Sequence, residues 1–139
     1  MVQLIVGEKG KGKTKHLLGM VNEEIKKAKG TICYLDKSNK NLYELSTKIR
    51  LIDVSEYMIS NADEFVGFIS GIISQDHDLE QMYFDSFLKI ACLEDKDITA
   101  TVRELEELGK KFSVNFILSV SKNEVNLSPE LKNNILISL

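Results

Sequence analysis

The chain has 139 residues, 43% of them apolar and 28% charged, and a net charge of −3. These values suit one compact domain and exclude disordered, collagen-like and coiled-coil chains. The small net charge hides an asymmetry: residues 1–40 hold nine lysines against four acids, whereas residues 41–139 hold nine basic residues against 17 acids.

An anionic ligand is therefore expected near the N-terminus. Only Arg50 and Arg103 are arginines, so few bidentate phosphate clamps are on offer. Cys33 and Cys92 have no partner spacing. That argues against a disulfide framework or a cysteine-rich zinc site and for a reduced, cytoplasmic setting. No secretory leader is read from the short apolar start, Met1–Val6. The most apolar stretch, Phe65–Ile73, is too short to span a membrane.

Taken in chain order, strands are expected over Val2–Val6, Thr31–Leu35, Ile49–Val54, Gln81–Asp85, Val114–Val120 and Ile135–Leu139. Several are nearly continuous apolar runs, the pattern of strands buried on both faces of a parallel sheet. Between them lie helical periods. Leu17, Leu18, Val21, Ile25 and Ala28 form the first, with Gly30 as its expected C-terminal cap. Ala62, Phe65, Val66, Ile69, Ile72 and Ile73 form the second, capped by Asn61 with Glu64. Ile98, Val102, Leu105 and Leu108 form the third, with Asp97 as N-cap and Gly109 near the end. Ser128 before Pro129 predicts a short helix over 129–134. The alternation predicts an α/β three-layer sandwich: a mostly parallel sheet of five to six strands with helices on both faces. Residues 1–139 are read as one domain.

The first strand runs into Gly7-Glu8-Lys9-Gly10-Lys11-Gly12-Lys13-Thr14, which fits G-x-x-x-x-G-K-[ST] in full. A chance match in a chain of this length is on the order of half a percent. Its placement between an apolar strand and an amphipathic helix is the context the motif requires. Gly7 lets the chain turn sharply and Gly12 lets the backbone approach a phosphate. The loop's N–H groups then cradle the anion at a helix N-terminus. Lys13 is expected to reach the β- and γ-phosphates and Thr14 to offer its hydroxyl to Mg²⁺. Gly7, Glu8, Lys9, Gly10, Lys11, Gly12, Lys13, Thr14 and the following Lys15 form the expected nucleotide-binding stretch. Lys9, Lys11 and Lys15 add positive potential.

On these residues the chain resembles the P-loop NTPases. The resemblance implies a second element, an acidic residue ending a buried strand that holds Mg²⁺. Met82-Tyr83-Phe84-Asp85 is favoured, and Ile49-Arg50-Leu51-Ile52-Asp53 is the rival. The order of elements further resembles the RecA-like (ASCE-type) ATPases. Tyr34-Leu35-Asp36 follows the second strand, Tyr83-Phe84-Asp85-Ser86 ends an apolar strand, and Leu105 to Ser119 looks like the family's helix-into-strand passage.

Two departures stand out. The family places a catalytic Glu after the second strand, where this chain has Asp36-Lys37-Ser38. Asp36 is the substitute expected to orient water. Ser119 and Ser121 stand where a Gln or Asn commonly senses the γ-phosphate. An arginine finger could be only Arg50 or Arg103, and Arg103, beside Glu104, Glu106 and Glu107, reads as a solvated ion pair.

The resemblance implies an ATP-binding protein that is an ATPase with Mg²⁺ and low intrinsic turnover, with Lys13, Asp36 and Asp85 as catalytic residues and Thr14 with Asp85 on the metal. The alternative is a non-hydrolysing nucleotide-binding module that needs a partner protein or further copies of itself. ATP is favoured over GTP, because Ser121-Lys122-Asn123-Glu124 lacks the Asn and Asp of the guanine-reading Asn-Lys-x-Asp. A small-molecule kinase is disfavoured, since no acceptor-site insertion or basic lid is visible. Asp76-His77-Asp78 reads as a solvated loop rather than a metal site, and His16 as a surface residue. Nucleic acid is not expected as a partner, because the basic loop lacks interleaved aromatics.

Overall fold

The computed structural model describes all 139 residues. Six strands form one sheet in the order β3-β2-β4-β5-β1-β6, and every neighbouring pair is parallel. The strands are β1 (Val2–Val6), β2 (Thr31–Asp36), β3 (Arg50–Asp53), β4 (Leu79–Phe84), β5 (Asn115–Val120) and β6 (Ile135–Ser138). The helices are α1 (Lys13–Lys27), α2 (Ala62–Ser74), α3 (Phe87–Ile90) and α4 (Thr99–Phe112).

The apolar runs are continuous because each strand feeds two cores. Leu4, Leu35, Phe84 and Phe116 point into a large cluster with Phe65 and Ile69 of α2 and Val102 and Leu105 of α4. Their neighbours Ile5, Tyr34, Tyr83 and Ile117 point the other way, into a smaller cluster with Leu17 and Val21 of α1. Period-two alternation thus divides one apolar sequence between two faces, and the result is a three-layer α/β sandwich.

The strand order explains where a ligand can sit. The crossover from β1 carries α1 against β1 and β5 on its way to β2. The chain leaving β5 crosses β1 toward β6 on the opposite face, where Leu127 and Leu131 are buried in the large cluster. Beyond the carboxyl ends of β1 and β5 the connections diverge, which opens a crevice at the switch point.

Several local expectations change. Gly30 does not cap α1, which ends at Lys27 with Ala28 at the cap. Instead a Cβ at Gly30 would lie 1.9 Å from the Asp78 carbonyl oxygen, so its role is close packing of the turn before β2 against the start of β4. Gly109 lies in the last turn of α4, near its end as expected, and the helix runs on to Phe112 before Ser113 takes the left-handed conformation. Asp97 stands one residue before the cap position, yet it accepts the Thr99 N–H at 3.0 Å. Asn61 caps α2 as expected, accepting the Glu64 N–H at 2.9 Å. The 129–134 segment is a 3₁₀ helix, and the Ser128 side chain makes no cap bond. α3 was not expected at all. Phe87 anchors this short helix by stacking on Phe84, ring centroids 6.3 Å apart, directly behind Asp85.

Candidate functional site

The loop between β1 and α1 is shaped by its glycines. Gly7, Gly10 and Gly12 have φ of 153°, 83° and 92°. Gly7 is also crowded, since a Cβ there would lie 3.0 Å from that of Leu139 beside β6. Gly12 occupies the N-cap of α1 in the left-handed conformation and brings no side chain to satisfy the first turn. As a result, none of the backbone N–H groups from Glu8 to Lys15 donates to a protein acceptor, and the first intrahelical bond runs from the His16 N–H to Gly12 O. Such a row of free donors at a helix N-terminus suits an anion. Lys13 is 7% exposed and donates from Nζ to Glu8 O at 2.9 Å, which holds its ammonium within the loop. Burial lowers its pKa below the ordinary lysine range, while the Asp85 charge pulls the other way.

A cavity of about 780 Å³ opens at the carboxyl end of the sheet. The β1–α1 loop contributes Lys9, Gly10, Gly12, Lys13 and Thr14, and the chain leaving β2 contributes Lys37 and Lys40. From beyond β4 come Asp85, Ser86, Lys89, Glu94 and Asp95, and from β5 and its exit Ser119, Ser121 and Lys122. Lys9, Lys37, Lys40 and Lys89 have no ion-pair partner in the chain. The cavity is thus rich in cationic side chains from three sides. Glu8, Lys11 and Lys15 do not line it, and Glu8 takes part through its carbonyl.

Thr14 and Asp85, 71 residues apart, meet at this cavity, with Thr14 Oγ1 donating to Asp85 Oδ1 at 3.2 Å. Asp85 is 3% exposed and is held by three further donors: Tyr34 Oη to Oδ2 at 2.8 Å, Ser119 Oγ to Oδ1 at 2.8 Å and the Ser86 N–H to Oδ1 at 2.9 Å. A hydroxyl and a carboxylate are hard oxygen donors, the set that suits Mg²⁺. The rival, Asp53, lies at the end of the edge strand β3, away from the loop, and its carboxylate accepts the Ser55 N–H and hydroxyl at 3.0 and 2.6 Å.

Asp36 does not line the cavity. It is 1% exposed and accepts the Lys37 N–H at 2.7 Å and Asn41 Nδ2 at 3.2 Å. Burial, and then the nearby Asp85 charge, raise its carboxyl above the usual range, against the pull of those two donors. Ser119 is occupied by Asp85 and by the Ser86 N–H, which it accepts at 3.0 Å. Ser121 is the serine of that pair that lines the cavity without a bond to Asp85. Neither arginine reaches the cavity. Arg50 pairs with Asp76 at 3.7 Å, and Arg103 holds Glu106 and the Glu130 carbonyl oxygen, tying α4 to the 129–134 segment.

Sequence reasoning missed Tyr34 and the cavity lysines Lys37, Lys40, Lys89 and Lys122. Tyr34 did carry a signal: a tyrosine inside a buried apolar strand needs a partner for its hydroxyl. The lysines carried none, because nothing local tells which surface lysines converge. Because a fold hosts many activities, function must be argued from these side chains. No protein-family model and no curated protein matches the chain.

Proposed function

We propose that this protein binds a nucleoside triphosphate, ATP rather than GTP, in the manner of the P-loop NTPases, with Mg²⁺ and at most slow hydrolysis. The observation that carries this reading is the meeting of Thr14 with Asp85 beside a glycine-shaped loop whose N–H groups have no protein acceptor. The loop amides and Lys13 would bind the phosphates and stabilise negative charge on the γ-phosphoryl. Thr14 and Asp85 would hold Mg²⁺, which when bound neutralises charge on the β- and γ-phosphates. The ATP preference has support in the 121–124 segment. Asn123 caps its own turn through the Val125 N–H, and Lys122 Nζ donates to Lys96 O at 2.7 Å, so neither side chain is free to read guanine.

One observation favours the second reading, a non-hydrolysing nucleotide-binding module. Asp36, the residue assigned to orient water, is buried and bound to its own loop, and both arginines are engaged elsewhere. Any arginine finger has to come from a second copy or a partner protein.

The test is ATP binding by calorimetry together with single-turnover phosphate release, run beside Lys13→Ala. Wild type is expected to bind ATP with Mg²⁺. Loss of a charge-assisted contact in Lys13→Ala should weaken binding about tenfold to a hundredfold. Binding without phosphate release supports the module reading over the ATPase. If no nucleoside triphosphate binds, both readings fall.

A further inference from the structure

A carboxylate offers about four acceptor positions, and Asp85 accepts four hydrogen bonds, on Oδ1 from Ser119, the Ser86 N–H and Thr14 and on Oδ2 from Tyr34. Three of the donors are fixed in place. Tyr34 is fully buried, its ring packed in the α1-side cluster with Leu17 and Val21. Ser119 is buried at the end of β5, and the Ser86 N–H belongs to the backbone. Thr14 differs: it is half-buried, lines the cavity and makes the longest of the four bonds at 3.2 Å. It is therefore the donor most readily exchanged, and its hydroxyl is the one free to turn toward a divalent cation.

Tyr34 is the only donor to Oδ2. Its side chain lies outside the cavity lining, so it acts on the site through Asp85 alone. Without it, a buried carboxylate oxygen would lack a partner. The carboxylate would then turn to bring Oδ2 toward Ser119 and the Ser86 N–H, since leaving such an oxygen unpaired is costly. That rotation moves Oδ1 away from Thr14.

We propose that Tyr34 is a positioning residue: by holding Oδ2 it fixes the plane of the Asp85 carboxylate, presents Oδ1 to Thr14, and so sets how much divalent metal the site requires. This inference rests on the P-loop reading given above. Outer-shell partners of this kind orient metal-holding carboxylates.

Tyr34→Phe removes one oxygen and keeps the ring that packs under α1. The probe is thermal unfolding of the protein with ATP, titrated with Mg²⁺, beside ATP affinity measured calorimetrically in EDTA. The Mg²⁺ concentration giving half the thermal shift should rise about tenfold or more, with ATP affinity in EDTA held within about twofold. An unchanged Mg²⁺ requirement overturns the inference, as does an equal loss of affinity in EDTA. If Tyr34→Phe does not fold, Tyr34→Met, which also removes the hydroxyl and fills the core with a flexible apolar side chain, takes its place: the same rise supports the inference and no rise overturns it. A wild type that binds ATP in EDTA but does not respond to Mg²⁺ overturns this inference alone. A wild type that binds no nucleotide under either condition overturns the P-loop reading and this inference with it.

Discussion

Asp36 and Asp85 close neighbouring parallel strands, or stand one residue beyond, and both are almost wholly buried. Each ends an apolar run preceded by a tyrosine two residues earlier. Their surroundings differ in sequence distance. Asp36 is satisfied by its own turn, through Lys37 and Asn41. Asp85 also draws donors from β2, α1 and β5, that is from Tyr34, Thr14 and Ser119. The same local pattern thus makes a turn former in one place and the hub of a cavity in the other. What separates the two is which side chains the strand order brings to each carboxylate.

The largest expected effect comes from deleting each carboxylate. Asp85→Ala leaves the Tyr34, Ser119 and Thr14 hydroxyls without their acceptor, while the Ser86 N–H keeps Ser119 Oγ, and should lower stability by about 3 kcal/mol or more. Asp36→Ala strands only Lys37 N–H and Asn41 and should cost about 1–2 kcal/mol. Urea unfolding midpoints measure both, and equal losses would break the distinction between hub and turn former.

A smaller effect sharpens the comparison through pH. The Asp36 carboxyl is raised in the folded state by burial and by Asp85. Between the unfolded value, about 3.9, and that raised value, the folded state binds more protons. The stability Asp36 contributes is complete below the unfolded value and is lost as pH rises through the folded one. Asp36→Asn lacks this titration. Its stability relative to wild type should therefore climb as pH rises from about 4 and level off above the raised value. Urea midpoints of both proteins across that window read the effect, and a constant difference would contradict it.

Much of this architecture was legible in the sequence. All six expected strands are present and parallel; in β1, β2, β4 and β5 burial on both faces left a nearly continuous apolar signal, and α1 and α2 followed their 3.6 period. Thr14 and Asp85 were paired from motif and order. What stayed hidden depends on long-range contact. α3 exists because Phe87 reaches Phe84, and nothing within its four residues foretells that. Gly30 looked like a helix cap, yet the neighbour that excludes a side chain there is Asp78, on the turn before β4. Ser119 and Ser121 were the alternatives for the γ-phosphate position, but the strand order β4-β5-β1 sets Ser119 beside Asp85, which takes its hydroxyl.

Calorimetric titration of ATP, with and without Mg²⁺, into wild type, Asp85→Asn and Asp36→Asn tests the central claim most directly. The predicted result is that Mg²⁺ strengthens ATP binding to wild type and to Asp36→Asn, and that this gain is lost in Asp85→Asn while binding in EDTA persists. An undiminished Mg²⁺ gain in Asp85→Asn, or no ATP binding to wild type, would contradict the assignment of this cavity as a metal-assisted nucleotide site.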